Sequence, residues 1–257
     1  MDTQLNKPLI SVITPAYNSE AHISQTIESV RAQTLQDWEM IITDDCSSDR
    51  TIDIIRSFQE KEDRIKLIQL EKNQGAAVAR NTSIAEAKGR FLAFLDSDDQ
   101  WLPEKLEKQL QFMQANDVAF SFTQYYPVNE AGEKAGAVED EIPDKIEYNQ
   151  LIKSNVIGCL TVMLDLEKTG PVKMVNIRTR QDYVLWLELC KRGFPAYNLK
   201  EPLALYRIKG ESISSNKFKM AKQNWKVYRE IEKLSLLKSI WYFLHYIYLK
   251  TKKYLKK

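Results

Sequence analysis

Within the first 95 residues, four short apolar runs alternate with three stretches of helical periodicity, an order that restricts the fold more than any single motif does. The runs are Leu9–Thr14, Trp38–Thr43, Arg64–Leu70 and Arg90–Leu95. Between them the spacing predicts helices over Glu20–Gln33 (Ile23, Ile27, Val30), from about Asp49 (Ile52, Ile55, Phe58), and over Gly75–Lys88, closed by Gly89. Strand and helix at this spacing build right-handed βαβ units on a parallel sheet. Such a sheet binds ligands beyond the carboxyl ends of its strands, where Pro15–Tyr17, Asp44–Asp45 and Asp96–Asp98 fall. Farther on come Val118–Tyr125, the segment Gly158–Leu164, a helix over Gln181–Lys191 and a strand-like Leu203–Arg207. Glu130–Glu147 between them reads as a polar, mobile loop.

The run Phe91-Leu-Ala-Phe-Leu ends abruptly in Asp96-Ser-Asp98-Asp99. A strand buried on both faces does not keep three acids inside, so they lie at its exit. Asp96 and Asp98 are two apart, and in extended chain both point to one side. There they repel unless a divalent cation bridges them to an anionic ligand such as a diphosphate. A turn capping the helix that opens near Pro103 is the alternative reading of the same residues.

A length of 257 residues suits one domain with an appendage, and 44% hydrophobic with 28% charged residues is a globular composition. No apolar leader follows Met1-Asp-Thr-Gln-Leu-Asn, so a cytosolic location is expected. Cys46, Cys159 and Cys190 are odd in number and far apart, which argues against a disulfide framework or a zinc site. Cys159 and Cys190 read as small core residues and Cys46 as a loop residue. His22 and His245 are the two histidines, so chemistry resting on a histidine base is disfavoured and carboxylates carry the work. Pro15-Ala-Tyr-Asn-Ser-Glu20 stands where a dinucleotide fold needs G-x-G-x-x-G, and no G-x-x-x-x-G-K-[ST] occurs.

Four motifs in order carry a resemblance: Val12-Ile-Thr-Pro15-Ala-Tyr17-Asn18, Ile41-Ile-Thr-Asp44-Asp45-Cys-Ser-Ser-Asp49, Asn73-Gln-Gly75-Ala-Ala-Val-Ala-Arg80-Asn81 and Leu95-Asp96-Ser-Asp98-Asp99-Gln-Trp101. Together they resemble the amino-terminal half of the family 2 glycosyltransferases, closely over about the first 115 residues. Thr179-Arg-Gln-Asp182-Tyr-Val-Leu-Trp186 stands where that family places its catalytic acid, and Tyr206-Arg207-Ile-Lys-Gly-Glu-Ser212-Ile-Ser214 where it has a loop over the donor. The pattern from Ile157 to Lys217 is similar, more narrowly, to bacterial transferases assembling teichuronic acid or capsule.

The resemblance implies an α/β fold of the GT-A type, a mostly parallel sheet flanked by helices, with inverting transfer from a nucleotide sugar, UDP preferred. It implies a nucleotide site of Pro15, Tyr17, Asn18, Asp45, Arg80, Asp96 and Ser97, with Tyr17 against the base and Asp45 accepting from its N–H. Asp98, helped by Asp96, would hold Mn²⁺ or Mg²⁺ on the diphosphate, and Asp182 would be the general base. Arg207 or Lys209 would meet donor phosphate. For Asp45 and Tyr17 an Asx turn and core packing are the alternatives, for Arg80 a solvated helix residue, and for Asp182 a helix N-cap. The chain departs from the family at Cys46, where Gly is usual, at Gln181, where Glu is usual, and at Lys209, where His is frequent.

The charge is asymmetric. Residues 217–257 hold twelve Lys or Arg against two Glu, a net of +10, leaving residues 1–216 with 25 bases against 33 acids, a net of −8. Ser239–Leu249 contains no Lys, Arg or acid and is too short to span a bilayer; Lys238 precedes it and Lys250, Lys252, Lys253, Lys256 and Lys257 follow. This composition suits a helix in the interface of an anionic leaflet, and equally a helix docked on the domain or on a partner subunit. The expected organisation is a transferase domain over 1–212, divided into a donor half (1–115) and an acceptor half (116–212), then a basic helical extension over 213–257. The expected acceptor is a polysaccharide or lipid-linked oligosaccharide, and the acidic body disfavours nucleic acid. A non-catalytic, nucleotide-sugar-binding assembly subunit is the competing function.

Overall fold

The computed structural model describes residues 7–138, 141–208 and 217–255. Its first half is the expected βαβ series. β1 (Ile10–Ala16), β2 (Trp38–Asp44), β3 (Ile65–Gln69) and β4 (Phe91–Phe94) alternate with α1 (Ile23–Arg31), α2 (Thr51–Gln59) and α3 (Ala76–Glu86). β1, β2 and β4 are buried along their whole length, which is why each reads as a continuous apolar run. The four strands lie parallel in the order β3-β2-β1-β4. The chain winds from β1 to β2 and β3, then crosses back to β4, so the switch point of the sheet lies between β1 and β4.

The second half extends the sheet. β5 (Gln100–Trp101) and α4 (Lys105–Ala115) lead to β6 (Phe120–Val128), β7 (Lys145–Ile146) and α5 (Tyr148–Leu151). β8 (Val162–Asp165), α6 (Leu166–Thr169), α7 (Gln181–Lys191) and β9 (Ala196–Arg207) follow. The order is β3-β2-β1-β4-β8-β6-β9-β5, with β7 on β9. β8 runs antiparallel between β4 and β6, but the ladder between β6 and β9 is parallel and long, so parallel pairing dominates. Alternate residues fill two layers: Phe91, Ala93 and Leu95 face a core with Ile27, Ile55 and Leu106, while Leu92 and Phe94 face one with Trp186, Tyr183 and Tyr228.

The α7 boundaries match those expected, but three expectations change. β9 begins at Ala196 rather than Leu203, because a register shift opposite Gln124 accommodates Lys200-Glu201-Pro202, residues that break the apolar pattern. α3 ends at Glu86 with Ala87 extended, so Gly89 is no helix cap. A Cβ there would lie 2.6 Å from the Ser11 backbone nitrogen and 2.8 Å from the Ile10 carbonyl carbon. Finally, the polar excursion is tied down: Val128 bridges to Lys134, Ile142 is buried, and β7 closes on β9. The donor loop expected beyond Ile208, with Lys209, lies outside the described residues.

α8 (Lys217–Lys226), a π-helical turn (Val227–Ile231) and α9 (Leu236–Leu255) follow. They join the second core layer through Val227, Tyr228, Tyr242 and Phe243. Tyr228 Oη donates to the Ile152 carbonyl at 2.8 Å. The buried Glu232 carboxylate accepts from Lys191 Nζ at 2.9 Å and Tyr148 Oη at 2.6 Å, fastening this segment to α5 and α7.

The contact of Gly89 with β1 gives a stability prediction. Gly89→Ala forces backbone apart at the amino ends of β1 and β4 and should lower the unfolding free energy by about 1–3 kcal/mol in a denaturant titration. An unchanged midpoint would show that the β1–β4 approach is not tight.

Candidate active site

The carboxyl ends of β1, β2 and β4 converge at the switch point, and a chain of hydroxyls joins them. Asp49 Oδ1 accepts from Thr51 Oγ1 at 2.6 Å, Thr51 Oγ1 accepts from the Ser19 backbone N–H at 2.7 Å, and Ser19 Oγ lies 2.7 Å from Ser97 Oγ. Pro15 is buried inside β1, paired in register with Thr43. Just past it Tyr17 is 51% exposed, an aromatic ring left open at the mouth of the site. Asn18, at φ 46°, accepts the Ser48 backbone N–H on its Oδ1 at 2.8 Å, so this side chain braces the β1 loop against the β2 loop.

Asp45 is buried, and both carboxylate oxygens accept backbone N–H groups, Oδ1 from Gln74 and Oδ2 from Gly75, each at 2.7 Å. Gly75 precedes α3 at φ 91°, a conformation glycine adopts at no steric cost. The carboxylate is thereby oriented, and each oxygen retains acceptor capacity.

The acids after β4 form a turn rather than extended chain, since the Asp99 N–H donates to the Asp96 carbonyl at 3.1 Å. Exposure still alternates: Asp96 and Asp98 are partly exposed, while Ser97 and Asp99 face inward. Asp99 Oδ1 accepts from the Arg207 backbone N–H at 2.9 Å. Asp96 Oδ1 accepts from Arg80 Nη2 at 2.5 Å, so Arg80 is no solvated helix residue. Asp96 and Asp98 are hard oxygen donors that suit Mg²⁺ or Mn²⁺, ions that complete their shell with phosphate oxygens and water. Among the described residues no group of three or more His, Cys, Asp or Glu is placed to hold a metal ion.

Arg207 has a bracing task that the sequence does not announce. Its Nε donates to the Asp98 carbonyl at 3.0 Å, Nη1 to the carbonyls of Asn129 and Glu130 at 3.1 and 2.6 Å, and Nη2 to Gln25 Oε1 at 2.8 Å. With the guanidinium engaged by these protein oxygens, Arg207 holds the acidic turn in place. No local signal marks this role, because the partners lie up to 182 residues away.

Asp182 arrives from the other half of the chain. α7 opens at Arg180 in the left-handed region (φ 70°) without a side-chain cap, so Asp182 is the second helical residue and not the N-cap. Burial pushes its carboxyl above the ordinary aspartate range; Arg80, the Tyr183 backbone N–H and Arg180 oppose that, and Asp96 adds to it. Arg80 itself loses solvation on burial, yet the carboxylates of Asp96, bonded to it, and Asp182 outweigh that loss and raise its pKa further. One guanidinium thus couples Asp96 to Asp182. Sequence reasoning placed Cys159 in the core and missed its neighbours: burial pushes its thiol well up, Arg80 opposes, and Asp96, Asp182 and Asp99 reinforce the shift. It stays protonated, which excludes a thiolate nucleophile.

The chain matches the family model for glycosyl transferase family 2 over residues 11–163. It is 51% identical over 240 residues to the putative teichuronic acid biosynthesis glycosyltransferase TuaG of Bacillus subtilis, covering 93% of this chain and 95% of that protein. It is 41% identical over 247 residues to the Escherichia coli UDP-Glc:alpha-D-GlcNAc-diphosphoundecaprenol beta-1,3-glucosyltransferase WfgD, covering 96% and 95% respectively. Its fold is similar to that of Staphylococcus aureus TarS 1-349 in complex with UDP-GlcNAc, with TM-score 0.71 at 20% identity, over 93% of this chain and 71% of that one. The ordered motifs, the sheet and these matches agree: the chain belongs to glycosyl transferase family 2 and has its GT-A fold.

Proposed function

We propose that this transferase moves a sugar from UDP to a hydroxyl of a cell-surface polysaccharide or lipid-linked oligosaccharide, with inversion, at the cytosolic face of the membrane. The observation that carries the reading is Asp182, uncapped in the first turn of α7 and coupled through Arg80 to the acidic turn after β4. Residues 1–115 would bind the donor and 116–212 the acceptor, with 213–257 a separate extension. The names of two relatives support the substrate class: WfgD for a UDP-Glc donor and a diphosphoundecaprenol acceptor, TuaG for teichuronic acid.

The donor's base packs on the open Tyr17 ring and donates an N–H to the oriented Asp45. Asp182 accepts the proton of the acceptor hydroxyl as that oxygen bonds to the anomeric carbon, and the bond from that carbon to the UDP oxygen breaks. A raised carboxyl pKa makes it a stronger base than a free aspartate. A single displacement with one base leaves the anomeric centre inverted. Mg²⁺ or Mn²⁺ held by Asp98 and Asp96 would neutralise charge growing on the departing diphosphate. Arg80 keeps Asp96 in position for that contact.

Two measurements test this reading. Chelation should abolish UDP-sugar binding in calorimetry, and Asp98→Asn should weaken it by at least about tenfold; undiminished affinity in chelator contradicts the metal assignment. Asp182→Asn should keep donor affinity and Tm, because the amide oxygen can still accept the Tyr183 backbone N–H, while lowering kcat by roughly 10²–10⁴. Near-normal turnover in that variant would remove Asp182 from the mechanism.

A further inference from the structure

We infer that the outward face of α9 is a docking surface for anionic lipid. The inward face is already occupied. Ser239 and Tyr246 are buried, Phe243 meets Trp225 edge-on at 5.4 Å, and Tyr242 lies 6.3 Å from Tyr228. Buried Glu232, bonded to Lys191 and Tyr148, fixes the approach to the helix. α9 therefore cannot rotate to hide its other side without breaking these contacts.

That other side is apolar and open. Leu237 is 82% exposed, Trp241 59%, Leu244 58% and Tyr248 64%, with Ile240 and Ile247 also exposed. Positions 237, 240, 241, 244, 247 and 248 fall on one helical stripe, roughly 17 Å long at 1.5 Å per residue. Single exposed leucines need no explanation, but a continuous stripe does. Among the described residues no helix is long and apolar enough to cross a membrane, so the stripe fits a helix lying on a surface.

Charge selects lipid over a second copy. Ser239–Leu249 carries no Lys, Arg, Asp or Glu, while Lys238 precedes it and Lys250, Lys252, Lys253, Lys256 and Lys257 follow. A two-fold pairing of α9 would set these like charges against each other; an anionic leaflet attracts every one of them. Trp241 and Tyr248, exposed on the stripe, are side chains that favour the boundary between acyl chains and headgroups. The inference stands apart from the transfer chemistry, since it uses no residue of the candidate active site.

Flotation of the intact protein with vesicles tests it. The protein should rise with phosphatidylglycerol–phosphatidylethanolamine vesicles, stay behind with pure phosphatidylcholine, and release as salt increases. Trp241→Ser with Leu244→Ser, both solvent-exposed, should preserve Tm and UDP binding yet weaken vesicle association by about tenfold or more. Lys250→Gln, Lys252→Gln and Lys253→Gln together should weaken it comparably, by about tenfold or more, without removing an apolar contact. Equal flotation with both vesicle types, flotation indifferent to either variant, or no flotation at all would overturn the inference. So would a Trp241→Ser, Leu244→Ser protein that changes oligomeric state in solution while the parent never binds vesicles, because the stripe would then be a protein interface.

Discussion

A buried guanidinium that touches one carboxylate and feels another, each from a different half of the chain, is the interaction on which this site depends. Removing arginine from water is costly, and it is tolerated where opposite charge and hydrogen bonding compensate. Arg80 finds that compensation in Asp96, bonded at 2.5 Å, and in the field of Asp182. The arrangement has a consequence for Asp182. Its own burial favours the protonated form, which makes the carboxylate a stronger base than a free one, and Arg80 opposes that rise.

The surrounding scaffold exists to hold these charges still. Backbone N–H groups before α3 orient Asp45; the Asp49–Thr51–Ser19–Ser97 chain ties the loops after β1, β2 and β4. Arg207, reaching from the end of β9, gathers the Asp98, Asn129 and Glu130 carbonyls and donates its own backbone N–H to Asp99. Behind Asp182, Tyr183 Oη donates to the Ile152 carbonyl at 3.1 Å, and Tyr228 of the carboxyl-terminal segment donates to the same oxygen. The extension is therefore packed against the support of the α7 amino terminus.

Much of this was legible in the sequence because parallel strands buried on both faces leave unmistakable apolar runs, and their carboxyl ends collect the ligand-facing residues. The exit of the acids after β4 was readable in this way. What escaped depends on long-range pairing. The first half of β9 was hidden by Lys200-Glu201-Pro202, whose accommodation needs the shifted partner strand. Gly89 resembled a helix cap until β1 was placed against it. The bracing role of Arg207 was invisible because its acceptors lie far away in the chain. Cys159 was placed correctly in the core, but composition cannot say which charges surround a core residue. For α9 the sequence left docking and lipid contact as alternatives; the structure packs one face and leaves the other exposed.

The central claim is that Arg80 electrostatically links the acidic turn to the base, and the pH dependence of kcat at saturating donor tests it most directly. With Asp182 as the proposed base, the carboxyl must be ionised to accept a proton, and turnover should fall as pH drops through its raised pKa, above the 3.8 of a free aspartate. Arg80→Gln removes the charge that opposes the rise, so the acid limb of the profile should move to higher pH. An acid limb in the same place in Arg80→Gln as in the parent would show that Arg80 and Asp182 are not coupled.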